Sequence, residues 1–300
     1  MGNFLSHLLQ RKGDDRVNLN DFKKSHKRFS QEPLGLPFLI RKDDRGYSAS
    51  VLNRKFKPKD DRKGLFHSLK YEDDEEVFHA FYGGNSQEIL VSHEPSNIVI
   101  SRGDLQCLIP GAWLNDEVIN LYLELLKERE RREPGKFLKC HFFNTFFFEK
   151  LANGKNGYNF EAVRRWTTKK KLGYTLIECD KVFVPIHKKK HWCLAVINVK
   201  DETFQYLDSL GGKDIHVLEV LARYLMEETR DKGDTEIDST SWKRELVDEL
   251  PLQKNGSDCG MFMIKYTDFY SRGLKLCFSQ ENMDYFRKKT AEEILRRRVE

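Results

Sequence analysis

A chain of 300 residues, 39% apolar and 33% charged with a mean hydropathy of −0.65, is long enough to bury a core without covalent staples. No uncharged apolar run approaches the 18 residues that bilayer spanning demands, which excludes an integral helical membrane protein. The formal net charge of +5 is unevenly shared: residues 1–70 hold 17 Lys and Arg against 8 Asp and Glu, so the basicity belongs to the leader.

That leader is interrupted by Pro33, Pro37, Pro58 and several glycines and sustains no helical or strand period. Its sparse apolar surface does not offset ordering entropy, so residues 1–80 are predicted to be a basic, disordered N-terminal leader. The clusters Lys23-Lys24-Ser25-His26-Lys27-Arg28 and Arg54-Lys55-Phe56-Lys57-Pro58-Lys59 fit a nuclear import signal, a weak polyanion contact or a solvated linker. Met1-Gly2-Asn3-Phe4-Leu5-Ser6 matches the short N-acylation pattern, so membrane contact is expected only if Gly2 is acylated, and so short a pattern favours coincidence. Cys107, Cys140, Cys179, Cys193, Cys259 and Cys277 follow no secreted disulfide framework, no signal-peptide apolar region precedes them, and no CxxC pair offers a zinc site. Free thiols in a reducing compartment are expected.

From about residue 85 the chain becomes dense in aromatic and aliphatic segments, and residues 85–300 are predicted to form the folded domain. A helix is predicted after Asn115, which can cap it, with Asp116 and Glu117 at its positive end and Val118, Leu121, Tyr122 and Leu125 on one face. Arg131, Arg132, Pro134 and Gly135 end it. The run Phe142-Phe143-Asn144-Thr145-Phe146-Phe147-Phe148 reads as core, and Ala162-Val163-Arg164-Arg165-Trp166 opens a basic stretch. Strands are predicted at Lys181–Ile186, His191–Asn198 and Thr203–Asp208, and a helix at Val217–Glu228. Helix, strands and helix in blocks indicate an α+β domain.

A hairpin turning at Lys200-Asp201 would pair positions that sum to 401, placing Asp208 opposite Cys193 and diagonal to His191. His191, Cys193 and Asp208 then share one face, an argument that a slip of one residue would destroy. A carboxylate beside an imidazole is the orienting half of a nucleophilic relay. Gln253-Lys254-Asn255-Gly256-Ser257-Asp258-Cys259-Gly260 supplies the missing nucleophile: turn residues and a capping Asp258 lead into an apolar helix with Phe262, Met263, Tyr266, Phe269 and Tyr270, ended by Gly273. Cys259 would sit in its first turn, where backbone N–H groups favour thiolate, and the Gln253 amide could donate to a developing oxyanion. Each part alone has a bland explanation, since most strand histidines are structural and most cysteines are small buried apolar groups. Their joint placement outweighs it. A metal held by His187, His191 and Cys193 is the other use of these groups, but no second cluster completes a tetrahedral site, so no metal is expected.

The ordered blocks Gly111-Ala112-Trp113-Leu114-Asn115-Asp116, Asn144-Thr145-Phe146-Phe147, Val163-Arg164-Arg165-Trp166, His191-Trp192, Leu207-Asp208-Ser209 and Gln253 to Gly260 resemble those of the Ulp/SENP family of ubiquitin-like-protein-specific cysteine proteases, which cleave SUMO. The resemblance spans about residues 85–300 and is strongest to plant-type members. It implies a papain-like α+β fold with a mixed central sheet flanked by helices and the nucleophile at a helix N-terminus. In that reading His191 resembles the general base, Asp208 its orienter, Cys259 the nucleophile and Gln253 the oxyanion donor. Trp113 and Trp192 resemble the indoles that clamp a Gly-Gly terminus, a sensible pairing because only glycine leaves no Cβ in the way. Asp116, Asn144, Phe146 and Arg165 fall where relatives touch the body of SUMO. The implied partners are SUMO precursors and SUMO-conjugated proteins, with no cofactor, no nucleic acid requirement, a monomeric state and nuclear residence, cytoplasmic or membrane-associated residence being the alternative. Rival readings are a protease for another ubiquitin-like modifier, a catalytically silent SUMO-binding module and an acyltransferase. Cys193, two residues after His191, leaves an extra thiol beside the site.

Overall fold

The computed structural model describes residues 71–154, 156–233 and 237–300. Helix α1 (Tyr71–Tyr82) buries Val77, Ala80 and Phe81, spaced as one face of a helix, and meets the C-terminal part of the chain through Lys288 Nζ and Asp74 Oδ1 at 2.7 Å. This corrects the leader boundary at residue 80: the acidic run Glu72–Glu76 masks so short an apolar stripe in the sequence. Expectations for residues 1–70, the basic clusters and the Gly2 pattern among them, lie outside the described residues.

A hairpin of β1 (Ile89–His93) and β2 (Ile98–Ser101) leads through the short helix α2 (Arg102–Leu105) to α3 (Asp116–Arg132). Asn115 caps α3 as expected, its side chain accepting from Val118 N at 2.9 Å. Strand β3 (Cys140–Phe142), helices α4 (Phe147–Ala152) and α5 (Lys169–Leu172), and strands β4 (Lys181–Lys188), β5 (His191–Asn198) and β6 (Thr203–Leu207) follow. Helix α6 (Ile215–Lys232) extends the predicted Val217–Glu228 at both ends because Asp214 caps it and Gly233, at φ 67°, closes it in the left-handed region. Strand β7 (Lys243–Leu246), helix α7 (Cys259–Ser271) and helix α8 (Met283–Leu295) complete the described chain. No helix among the described residues is long and apolar enough to cross a membrane.

The central sheet is mixed, in the order β3-β4-β5-β6-β7, with β4, β5 and β6 antiparallel and both outer strands parallel to their neighbours. Side chains alternate along β5: Cys193, Ala195 and Ile197 pack on the α4 and α6 side, while Trp192, Leu194 and Val196 pack with α3, α7 and α8 on the other. Each face is therefore sealed by helices, the α+β arrangement expected. The phenylalanine run divides accordingly: Phe142 enters one core, Phe143 and Phe147 stack in the other, and Phe146 stays 45% exposed.

A long-range ion pair ties α3 to α7. Arg129, fully buried, donates to Asp268 Oδ1 at 2.6 Å and to Ser271 Oγ at 2.9 Å. Burial opposes ionisation of Asp268, but Arg129 and Lys265 hold its carboxyl below the ordinary range. Arg129→Ala would strand that carboxylate without its partner, and a loss of about 3–5 kcal/mol in unfolding free energy is expected by chemical denaturation. A loss under about 1 kcal/mol would contradict this account of the pair.

Candidate active site

The β5–β6 register is the predicted one: Leu194 pairs with Leu207 and Ala195 with Tyr206. Asp208 follows the last residue of β6, and its Oδ1 lies 2.7 Å from His191 Nε2 while accepting Leu210 N at 2.8 Å. The carboxylate is thus held from two sides. A third constraint is Gly212, where a Cβ would stand 2.3 Å from Asp208 Oδ2, so only glycine permits the loop to close there.

His191 carries opposing influences. Burial disfavours its charge, but hydrogen bonding to Asp208, then to the Cys193 and Cys259 thiols, raises it to about 12, so the ring is held as an imidazolium. Burial likewise opposes the charge on Asp208, and His191 with the Leu210 N–H keeps it below the ordinary carboxylate range. The neighbouring Cys193 is buried and its thiol is pushed up. The atoms of His191, Cys193 and Asp208 that could ligate a metal lie within 4.8 Å of one another, a three-donor set already committed to this hydrogen-bonded cluster. His187, the other ligand considered from the sequence, is not part of this set and stacks on Trp192 at 4.2 Å.

Cys259 is the first residue of α7, as predicted, and lines an open groove although only 4% of it is exposed. The role expected of Asp258 needs correction: its side chain makes no cap hydrogen bond. Its Oδ1 instead receives Arg287 Nε at 2.9 Å and Nη2 at 2.6 Å, and its Oδ2 receives Asn255 Nδ2 at 2.7 Å and Gln280 Nε2 at 2.6 Å. A fully buried guanidinium outcompetes a local backbone donor for the carboxylate, and nothing near Asp258 in sequence announces it. Asn255 performs the turn-building instead, its Oδ1 accepting the N–H groups of Ser257 and Asp258 at 3.1 Å each.

Gln253 is oriented with equal care. Ser209 Oγ donates to its Oε1 at 2.5 Å, its own backbone N–H donates to Ser209 O at 2.9 Å, and its Nε2 donates one proton to Asn255 O at 2.7 Å. The carboxamide is therefore strung between the Asp208 strand end and the Cys259 turn.

The groove, about 230 Å³, is walled by Trp113, Asp116, His187, Trp192 and Cys259. Trp113 is 49% exposed, whereas Trp192 is buried and donates Nε1–H to Leu114 O at 3.3 Å. Trp192 thus combines core packing with a face on the groove. Gly260 lets it do so: a Cβ there would come within 2.8 Å of Leu114 Cβ and 3.3 Å of Trp192 Cδ1. Asn144, Phe146 and Arg165 are exposed and do not line the groove. Sequence reasoning weighed His187 only as a metal ligand, gave Ser209, Gly212 and Gly260 no individual role, and did not single out Arg287. For His187 a signal existed: the two-residue turn Lys189-Lys190 sets His187 directly opposite Trp192, and Lys189 takes φ 58° to make it.

Residues 112–299 match the model of the Ulp1 protease family, C-terminal catalytic domain. The chain is 60% identical over 239 residues to ubiquitin-like-specific protease 1A of Arabidopsis thaliana, which covers 80% of this chain and 47% of that protein. It is 40% identical over 245 residues to human sentrin-specific protease 2, covering 81% of this chain and 40% of that protein. The chain thus spans about half the length, or less, of these two relatives. Among solved structures it is similar to the C-terminal Ulp1 protease domain in complex with Smt3, the yeast orthologue of SUMO, with TM-score 0.66 and 28% identity over 77% of this chain and 97% of that one. The Chaetomium thermophilum Ulp1-like SUMO protease catalytic domain matches at TM-score 0.64 and 25% identity over 79% of this chain and 93% of that one. Higher identity to the plant protein than to the human one agrees with the plant-type character of the motifs. Sequence blocks, mixed-sheet topology and the His191, Asp208 and Cys259 geometry lead to one conclusion: the chain belongs to the Ulp1 protease family.

Proposed function

We propose that this chain is a thiol protease that cuts SUMO after its C-terminal Gly-Gly, both maturing the precursor and releasing SUMO from lysine side chains. The observation that carries the reading is the convergence of Cys259, at the start of α7, with the His191–Asp208 pair, 2.7 Å apart, at a groove flanked by two indoles. In this mechanism His191 holds the proton taken from Cys259, and the thiolate attacks the glycyl carbonyl. The second amide proton of Gln253 and the Cys259 backbone N–H stabilise the tetrahedral oxyanion. The imidazolium then protonates the departing amine, and water, deprotonated by the neutral imidazole, hydrolyses the thioester. The side chains of this cycle supply every proton transfer.

Trp113 and Trp192 close over the two glycines, and Asp116, Asn144, Phe146 and Arg165 contact the body of SUMO. The exposure of Asn144, Phe146 and Arg165 supports this, most directly for Phe146, which stays at the surface while Phe143 and Phe147 are buried. The reading includes a monomeric enzyme and nuclear residence, the latter supported by the basic leader clusters. The test is cleavage of a panel of fusions and lysine-linked conjugates of SUMO, ubiquitin and other ubiquitin-like modifiers. Scission after Gly-Gly confined to the SUMO substrates is expected. Preference for another modifier, or none cut, overturns the assignment.

A further inference from the structure

Arg287 lies in the middle of α8, far from the groove in sequence, yet no part of it is exposed and all its donors point at the active-site loops. Nε and Nη2 grip Asp258, the residue before Cys259, and Nη2 also reaches Ser257 O at 3.3 Å. On the opposite side Nη1 reaches Cys107 O at 3.1 Å and Ile109 O at 3.2 Å, and Nη2 reaches Ala112 O at 2.8 Å, the residue before Trp113. One guanidinium therefore clamps the turn that presents Cys259 to the segment that presents Trp113. The clamp continues through Asp258 to Asn255, to Gln253 and to Ser209 beside Asp208. A lysine could neutralise Asp258 but could not span both loops, because its donors radiate from a single nitrogen.

We propose that Arg287 is a positioning residue for the reaction, with two separable duties: it cancels the Asp258 charge one residue before the nucleophile, and it fixes the Trp113 wall of the groove relative to Cys259. The inference rests on the reading of Cys259 as nucleophile. The charge duty follows from Coulomb's law, since a buried carboxylate left uncompensated on the residue before a nucleophilic cysteine disfavours a thiolate there. The geometric duty follows from the carbonyls of Cys107, Ile109 and Ala112, which Arg287 binds from outside their own segment.

The experiment measures the pH dependence of iodoacetamide alkylation of the Cys259 peptide by mass spectrometry in the full chain, together with kcat and KM on a SUMO fusion. Folding of each variant is checked by circular dichroism. The other charged or titratable groups facing Cys259 are His191 and Cys193 from β5, Asp208 after β6, His187, Lys189 and Lys190 around the β4–β5 turn, and Asp116 at the start of α3, and all stay in place. Arg287→Gln is expected to move the alkylation midpoint up by about one pH unit, and Asp258→Asn to move it down by a similar amount. The double variant returns it toward wild type. Arg287→Lys is expected to leave the midpoint in place and raise KM several-fold with kcat largely kept. Midpoints for Arg287→Gln and Asp258→Asn that match wild type in folded protein overturn the charge duty, and an unchanged KM in Arg287→Lys overturns the geometric one. If Arg287→Gln is not recovered folded, Asp258→Asn, nearly isosteric, decides the charge duty alone. A wild-type chain whose Cys259 neither alkylates nor supports cleavage refutes the functional reading instead, which keeps the two failures distinct.

Discussion

Cys259→Ser is expected to lose about 10⁴-fold or more in kcat/KM on a SUMO fusion while retaining its affinity for SUMO. The reason lies in the state of His191. With Asp208 and two thiols raising it to about 12, the imidazole already holds its proton at working pH. Thiols as a class are acidic enough to give up a proton to an imidazole. A serine hydroxyl is far too weak an acid to do so, and an imidazolium cannot act as its base. In the proposed reading SUMO is held by the groove walls and the exposed surface, which the exchange of one atom leaves intact. Cleavage kinetics and a pull-down with immobilised SUMO read the two properties separately. Cleavage within about tenfold of wild type would remove Cys259 from the mechanism.

Asp208→Asn is expected to cost about 10²–10⁴-fold in kcat, and the loss should deepen as pH rises. An amide still fills the space and can still bond the ring, but it no longer favours the charged imidazole, so His191 falls back toward its ordinary value near 6.5. At pH 6 much of the imidazolium survives in the variant, whereas at pH 9 almost none does, while the wild-type ring stays protonated at both. The ratio of wild-type to variant kcat therefore grows between pH 6 and pH 9, and a ratio that stayed flat would argue against the ion pair. Stability follows the same linkage. The raised His191 contributes fully below about pH 6.5 and loses its contribution as pH climbs toward its folded value; the depressed Asp208 contributes fully above about pH 4 and loses it as pH falls through its folded value. The difference in Tm between wild type and variant should be largest from about pH 4 to 6.5 and narrow toward alkaline pH.

The legible parts of this molecule were those governed by local rules. Asn115 announced a cap, Gly273 stands just beyond α7, and the β-rich apolar run of residues 191–198 identified a strand. The hairpin register placed His191 and Asp208 on one face because a turn of set length leaves a single pairing that keeps the apolar positions inside. Strand β7 was not foreseen, since Lys243-Arg244-Glu245-Leu246 lacks β-branched residues and alternation, and it forms by joining a sheet edge already present. The acidic start of α1 concealed its helix in the same way.

Sequence alone determined which chemistry the chain can perform: the residue types, their order and the element that carries each are written in short segments whose geometry depends on near neighbours. Tertiary structure alone decided how those segments are held. That Asp258 answers to Arg287 rather than to its own helix, and that Gly260 makes room for Leu114 and Trp192, depend on contacts between segments. A hydrogen bond or a close approach across 29 residues or more, as between Asp258 and Arg287, leaves no periodicity behind, because its partners are chosen by packing in space and not by position along the chain.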